Sequence, residues 1–79
     1  MIKVSEIILK LKDVLKYDDI TANTDLFGEG IIDSISLFDK ILPIIEGEYG
    51  IEIHPLELVP SNFETPSKIT DYINRKKYE

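Results

Sequence analysis

Asp33 and Ser34 are the residues of this chain whose types and spacing best suit chemistry. They follow the loop Phe27-Gly28-Glu29-Gly30-Ile31-Ile32 and stand just before Ile35, where an amphipathic segment begins. A serine at a helix start most simply caps it, accepting a bond from the orphan N–H groups of the first turn. Asp33 can fill that role instead. Ser34 then occupies the first helical position with a free hydroxyl, where unpaired N–H groups and the helix dipole favour a phosphate ester. On that reading the serine is a point of covalent attachment, and the residues alone leave both readings open.

Other chemistries find little support. His54 is the only histidine, and nothing in the sequence brings it to Ser34 for a Ser-His-Asp arrangement; a histidine before proline in a loop reads as structural. Gly28-Glu29-Gly30 lacks the third glycine of a dinucleotide fingerprint, because position 33 is Asp. The stretch Asp19 to Asp25 imitates the start of a calcium loop, yet it has Thr24 where that loop needs glycine and Gly30 where it needs glutamate. No metal site is expected. Tyr17, Tyr49, Tyr72 and Tyr78 lie in separate elements and read as core or rim aromatics rather than a base-stacking platform.

The elements that must position Ser34 are helical. Val4, Ile7, Ile8, Leu11, Val14 and Leu15 recur at i, i+3, i+4 spacing, which predicts an amphipathic helix over about residues 3–16. A long loop from Tyr17 to Ile32 follows, pinned to the core by Ile20, Leu26, Phe27 and Ile31. Ile35, Phe38, Leu42, Ile45 and Tyr49 form the next predicted core stripe, closed by Gly50 at a helix C′ position, and this stripe leaves Leu37 on the exposed side. Pro43 inside that helix removes a backbone donor and crowds the carbonyl of Asp39, so the helix must kink or widen through a π-bulge. Ile51-Glu52-Ile53 alternates like a strand but has no partner edge, so it reads as extended loop with both isoleucines buried. Pro55, Pro60 and Ser61 allow only short helical turns. Thr65 as cap and Pro66 at the first helical position open a last helix carrying Ile69, Tyr72 and Ile73 and ending in Arg75-Lys76-Lys77.

Composition bounds the rest. A chain of 79 residues is expected to be one domain, residues 1–79, with little room for a deep active site and a stability of roughly 3–5 kcal/mol. It has no cysteine, which excludes disulfides and thiolate chemistry and suits a reducing cytoplasm. No run approaches the ~18 apolar residues of a membrane span, and charges interrupt Met1 to Leu15, unlike a signal peptide. A cytoplasmic, non-inserted protein is expected. The net charge of −6 is unevenly spread: residues 1–16 and 65–79 are each +2, while residues 17–64 set eleven acids against Lys40 alone and reach −10. Nucleic acid is therefore not an expected partner. The acid either keeps the domain soluble or steers basic partners toward Ser34.

The Asp33-Ser34-Ile35 triplet in this setting resembles the phosphopantetheine-dependent acyl and peptidyl carrier proteins, whose modified serine sits in an Asp-Ser-Leu/Ile/Met motif opening the second helix. Leu26-Phe27, Glu29-Gly30, two aliphatics and Asp33-Ser34 look like the stand-alone D-alanyl carrier proteins of Gram-positive bacteria. So do Ile51-Glu52-Ile53 and Phe63-Glu64-Thr65-Pro66-Ser67-Lys68-Ile69, and the resemblance spans roughly Leu26 to Ile73. It implies an all-α carrier bundle of three main helices plus one short helix, with the long loop between the first two.

The same resemblance implies a function without catalysis. A phosphopantetheinyl transferase would place 4′-phosphopantetheine on Ser34, with Asp33 as helix cap and recognition residue. An ATP-dependent acyl or aminoacyl ligase would load the arm's thiol, and an acyltransferase or synthase would unload it. Ser36, Leu37, Asp39 and Lys40 would form the docking face of a monomeric carrier. Lys40 beside Asp39 makes this helix less uniformly acidic than in fatty-acid-synthesis carriers, which argues for a dedicated partner. D-alanine is the leading cargo, ahead of other aminoacyl, aryl or polyketide-type acids. The rival reading is a small helical interaction domain that is never modified, with Ser34 merely a cap.

Overall fold

Apolar side chains at helical spacing with lysines between them make helix α1, Val4–Leu15, whose Ile7 and Leu11 are buried. Its chain leaves through Lys16 in the left-handed region at φ 53°. The computed structural model describes residues 1–78, and among them every regular element is helical. Helix α2 covers residues 34–49, a 3₁₀ turn covers Pro55–Glu57, helix α3 is Pro60–Phe63 and helix α4 is Pro66–Tyr78. This is the expected all-α bundle of three main helices and one short one. The prolines act as foreseen, Pro55 and Pro60 each starting a short turn where the missing N–H has no intrahelical partner to lose.

Helix α2 departs from the regular repeat. It is α-paired at Ser34–Ser36, takes π pairing at Leu37–Ile41, returns to α at Leu42 and Pro43, and takes π pairing again at Ile44–Glu48. The Leu42 N–H, for example, donates to the Leu37 carbonyl, five residues back. Of the two accommodations open to Pro43, the structure uses widening, and it does so twice. Residues four and five apart then share a face. Leu37, Ile41, Leu42, Ile44, Ile45 and Tyr49 are all buried.

That set corrects the predicted stripe. Leu42, Ile45 and Tyr49 face the core as expected, but Ile35 is 71% and Phe38 54% exposed, while Leu37 is only 5% exposed. The widened pairing supplies the reason: residues four and five apart fall on one face, which sets Leu37 with Ile41 and Leu42, and Ile41 with Ile45, whereas the predicted stripe assumes a regular 3.6-residue turn.

The remaining core comes from every segment. Ile20, Leu26 and Ile32 pin the long loop, with Phe27 and Ile31 partly buried beside them; Ile51 and Ile53 are buried in irregular backbone, and Phe63 packs against Tyr72 with ring planes tilted by 58° and centroids 5.1 Å apart. Gly50 ends α2 at φ +65°, as a C′ glycine should. Thr65 caps α4 by accepting the Lys68 N–H at 3.1 Å. Polar ties close the bundle. The Ile2 N–H donates to Asn74 Oδ1 at 3.0 Å, the Tyr49 hydroxyl donates to Glu6, Lys10 pairs with Glu48 at 2.5 Å, and Lys77 Nζ donates to the Tyr49 carbonyl at 3.1 Å.

Candidate functional site

Ser34 is reached through a turn built by its own backbone. The Leu26 carbonyl accepts two N–H groups, from Ile31 at 2.9 Å and Ile32 at 3.0 Å, and Gly30 makes the reversal possible at φ +73°. Leu26 is fully buried and Ile32 nearly so, so the turn is held shut by packing as well as by hydrogen bonds. Asp33 follows in extended conformation, φ −131° and ψ −173°. Its carboxylate accepts the Ser36 N–H at 2.8 Å, and its carbonyl accepts the Leu37 N–H at 2.9 Å.

Asp33 is therefore the cap and Ser34 the first helical residue. The Ser36 N–H bond holds the Asp33 carboxyl below the usual aspartate range, so the cap stays ionised through neutral pH. Ser34 is exposed, and Asp33 rather than Ser34 makes the cap bond. Two surface grooves, of about 570 Å³ against α4 and about 490 Å³ between the end of α1 and Pro43, include neither Asp33 nor Ser34 in their walls. The serine is exposed to solvent at the helix start. A hydroxyl so placed suits carriage of a large substituent, not turnover in a pocket.

The residues expected to flank it divide. Asp39 and Lys40 are exposed, as a docking face requires, and Ser36 is half-buried. Leu37 is the correction: it is a core residue and cannot meet a partner. Ile35 and Phe38, assigned to the core by helical periodicity, take its place on the surface. A signal for this stripe existed in the sequence, since Leu37, Ile41, Ile44 and Ile45 also keep i, i+4, i+7, i+8 spacing. His54 does structural work, its Nδ1 accepting the Leu56 N–H at 3.1 Å to cap the 3₁₀ turn.

A four-helix arrangement that holds one serine outward at the start of its second long helix, behind an aspartate cap, defines a carrier rather than a catalyst. Residues 5–73 match the family model described as a phosphopantetheine attachment site, and the chain belongs to that family. It is 36% identical over 64 residues to D-alanyl carrier protein 2 of Lactiplantibacillus plantarum, which covers 78% of this chain and 79% of that protein. D-alanyl carrier protein 1 of the same organism is 34% identical over the same shares. The lincomycin biosynthesis protein LmbN of Streptomyces lincolnensis is 36% identical over 61 residues, 77% of this chain but only 22% of that protein. No solved structure matches.

The chain is thus a non-catalytic carrier that bears 4′-phosphopantetheine covalently. Such carriers work with a phosphopantetheinyl transferase and with ligases or synthases. Among the described residues no helix is long and apolar enough to cross a membrane.

Proposed function

We propose that Ser34 is the attachment site and that the chain, working as one cytoplasmic, monomeric domain, carries D-alanine from an ATP-dependent ligase to an acyltransferase. The observation that carries the site is the division of labour at the helix start: Asp33 caps, and Ser34 is left exposed. When bound, the group supplies a terminal thiol that holds the cargo as a thioester. The chain's own residues position and present. Asp33 fixes the first turn, whose remaining N–H groups and positive dipole end suit a phosphodiester on Ser34. Ile35, Phe38, Asp39 and Lys40 form the docking face, with Ile35 and Phe38 replacing Leu37 as its apolar part and Ser36 at its edge.

D-alanine is supported by the two D-alanyl carrier relatives, each matched over most of its length. The antibiotic-biosynthesis relative supports a second cargo class, another amino or aryl acid. Incubation with coenzyme A and a broad phosphopantetheinyl transferase should add one phosphopantetheine to the intact mass. Ser34→Ala should abolish the gain with helicity unchanged, leaving Ser5, Ser36, Ser61 and Ser67 unmodified. Modification that survives in Ser34→Ala overturns the site, and an unmodified wild-type chain returns the reading to a plain interaction domain. Thioester formation with D-alanine over L-alanine and aryl acids, using the ligase from the same source, tests the cargo.

A further inference from the structure

The position of Ser34 is set upstream of its own helix. Leu26, whose carbonyl takes both the Ile31 and Ile32 N–H groups, sends its own N–H to the Glu64 carbonyl at 2.7 Å. The turn before Ser34 is thereby moored to the segment that leads into α4. Its other end is closed by Asp25, whose Oδ1 accepts the Gly28 N–H at 2.9 Å while its carbonyl accepts the Glu29 N–H at 2.9 Å.

The Asp25 carboxylate also occupies the space where a side chain at position 28 would go. A Cβ built on Gly28 would lie 2.1 Å from Asp25 Oδ2 and 2.6 Å from its Cγ, and the three nearest atoms all belong to that carboxylate. The backbone at Gly28 is outside the left-handed region, unlike Gly30 and Gly50. Glycine is needed at 28 for the seat of a carboxylate, not for a backbone conformation. Asp25 is exposed and carries no core packing of its own, so its seat over Gly28 is what the turn gains from it.

We propose that Asp25 is a positioning residue for modification of Ser34: seated over Gly28, its carboxylate holds the Leu26–Ile32 turn shut and so fixes where Asp33 and Ser34 enter α2. This rests on Ser34 being the attachment site. The effect runs along a short path: Gly28 lies inside the turn that the Leu26 carbonyl closes on Ile31 and Ile32, and Ile32 stands one residue before the cap, so a shift at Gly28 bears on the bonds that set where Asp33 begins α2. Reacting groups misplaced by about 1 Å can lose up to ~100-fold in rate.

The test is the rate of phosphopantetheine transfer to the purified chain, read by intact mass, beside far-UV circular dichroism and amide exchange at Ile31 and Ile32. Asp25→Ala should lower kcat about tenfold with KM for the carrier within about twofold. Asp25→Asn keeps the acceptor oxygen without the charge and should stay within about twofold of wild type, with its amides equally protected. Gly28→Ala should be as slow as Asp25→Ala. In the Asp25→Ala background it should add nothing, because the clashing carboxylate is gone. Transfer at the wild-type rate in Gly28→Ala overturns the proposal, and so does a full additional loss in the double variant. Asp25→Asn as slow as Asp25→Ala also overturns it, reassigning the effect to charge at the docking face. If Asp25→Ala does not fold, the contrast between Asp25→Asn and Gly28→Ala decides. A wild-type chain that gains no mass at Ser34 sinks the attachment reading instead, whereas normal transfer to wild type and Gly28→Ala alike sinks only this one.

Discussion

Helices α2 and α4 come from the same small core, yet only α4 obeys the repeat that its sequence advertises. In α4 the buried residues Pro66, Ile69, Thr70, Tyr72 and Ile73 fall on one regular face. Thr65 caps it, and Arg75, Lys76 and Lys77 sit in its last turn, where cations meet the negative end of the dipole. In α2 the pairing widens twice, and two large apolar residues near its start stand in solvent. The difference follows from pairing: α4 keeps one regular repeat, whereas α2 widens on either side of Leu42 and Pro43 and so buries residues four and five apart.

The largest test of this contrast exchanges neighbours at the start of α2. Leu37→Ala should cost about 2–5 kcal/mol in urea unfolding, because a fully packed leucine leaves a cavity. Phe38→Ala and Ile35→Ala should each stay within about 0.5 kcal/mol, as exposed substitutions do. In a domain stable by only ~3–5 kcal/mol, the first change takes most of the folded state with it. Comparable losses at Leu37 and Phe38 would restore the regular stripe and remove the contrast.

Exposed α2 should also matter through its charge, and more weakly. If the acidic middle of the chain steers partners, transfer to Ser34 should slow several-fold between ~0.1 and ~0.5 M salt, as the Debye length falls from about 10 Å to about 4 Å. Asp39→Lys should slow it further at low salt. Rates that ignore both would leave the acid a solubility device.

The packed side of the comparison has a pH signature. Burial, and then the 3.1 Å bond that its hydroxyl donates to Glu57, push Tyr72 up to about 12. A phenol whose folded pKa lies above its ordinary value of 10 stabilises fully below pH 10, and that contribution is lost as the pH rises toward 12. Tyr49 is shifted in the same direction by burial and by Glu6, so it adds to the alkaline loss. Tyr72→Phe should therefore flatten, without abolishing, the fall in melting temperature between pH 10 and 12. An unchanged slope would mean that Tyr72 ionises equally freely in both states.

Most of the fold was legible because most of it is local. The α1 stripe, the Thr65-Pro66 start of α4, the C′ role of Gly50 and the burial of Ile51 and Ile53 all follow from short-range rules. The Asp33 cap is one of two readings that the residues leave open at the helix start, and the structure decides for it. What the pattern could not decide was the face of α2, since apolar residues at 35, 37, 38, 41, 42, 44 and 45 support two overlapping stripes. Tertiary geometry chooses between them. Ile32 and the Asp25–Gly28 seat were also missed, because a turn closed by one carbonyl and one carboxylate leaves no periodic trace.

The smallest expected effect belongs to Pro43, and its smallness is what makes it informative. In a regular helix an interior proline costs about 3 kcal/mol, through a lost donor and a clash with the carbonyl four residues before it, so replacing it by alanine should recover most of that. Here Pro43 sits at φ −58° and ψ −33°, between two widened turns, and its ring is exposed. Widened pairing shifts acceptors to donors five residues on, so the missing N–H at 43 interrupts little and the ring has room. Pro43→Ala should then change the unfolding free energy by less than about 1 kcal/mol, with the far-UV spectrum nearly unchanged. A gain of ~2–3 kcal/mol would mean that the proline strains a helix trying to be regular, and the exposed Ile35 and Phe38 would then be a consequence of that strain rather than of a relaxed widened pairing.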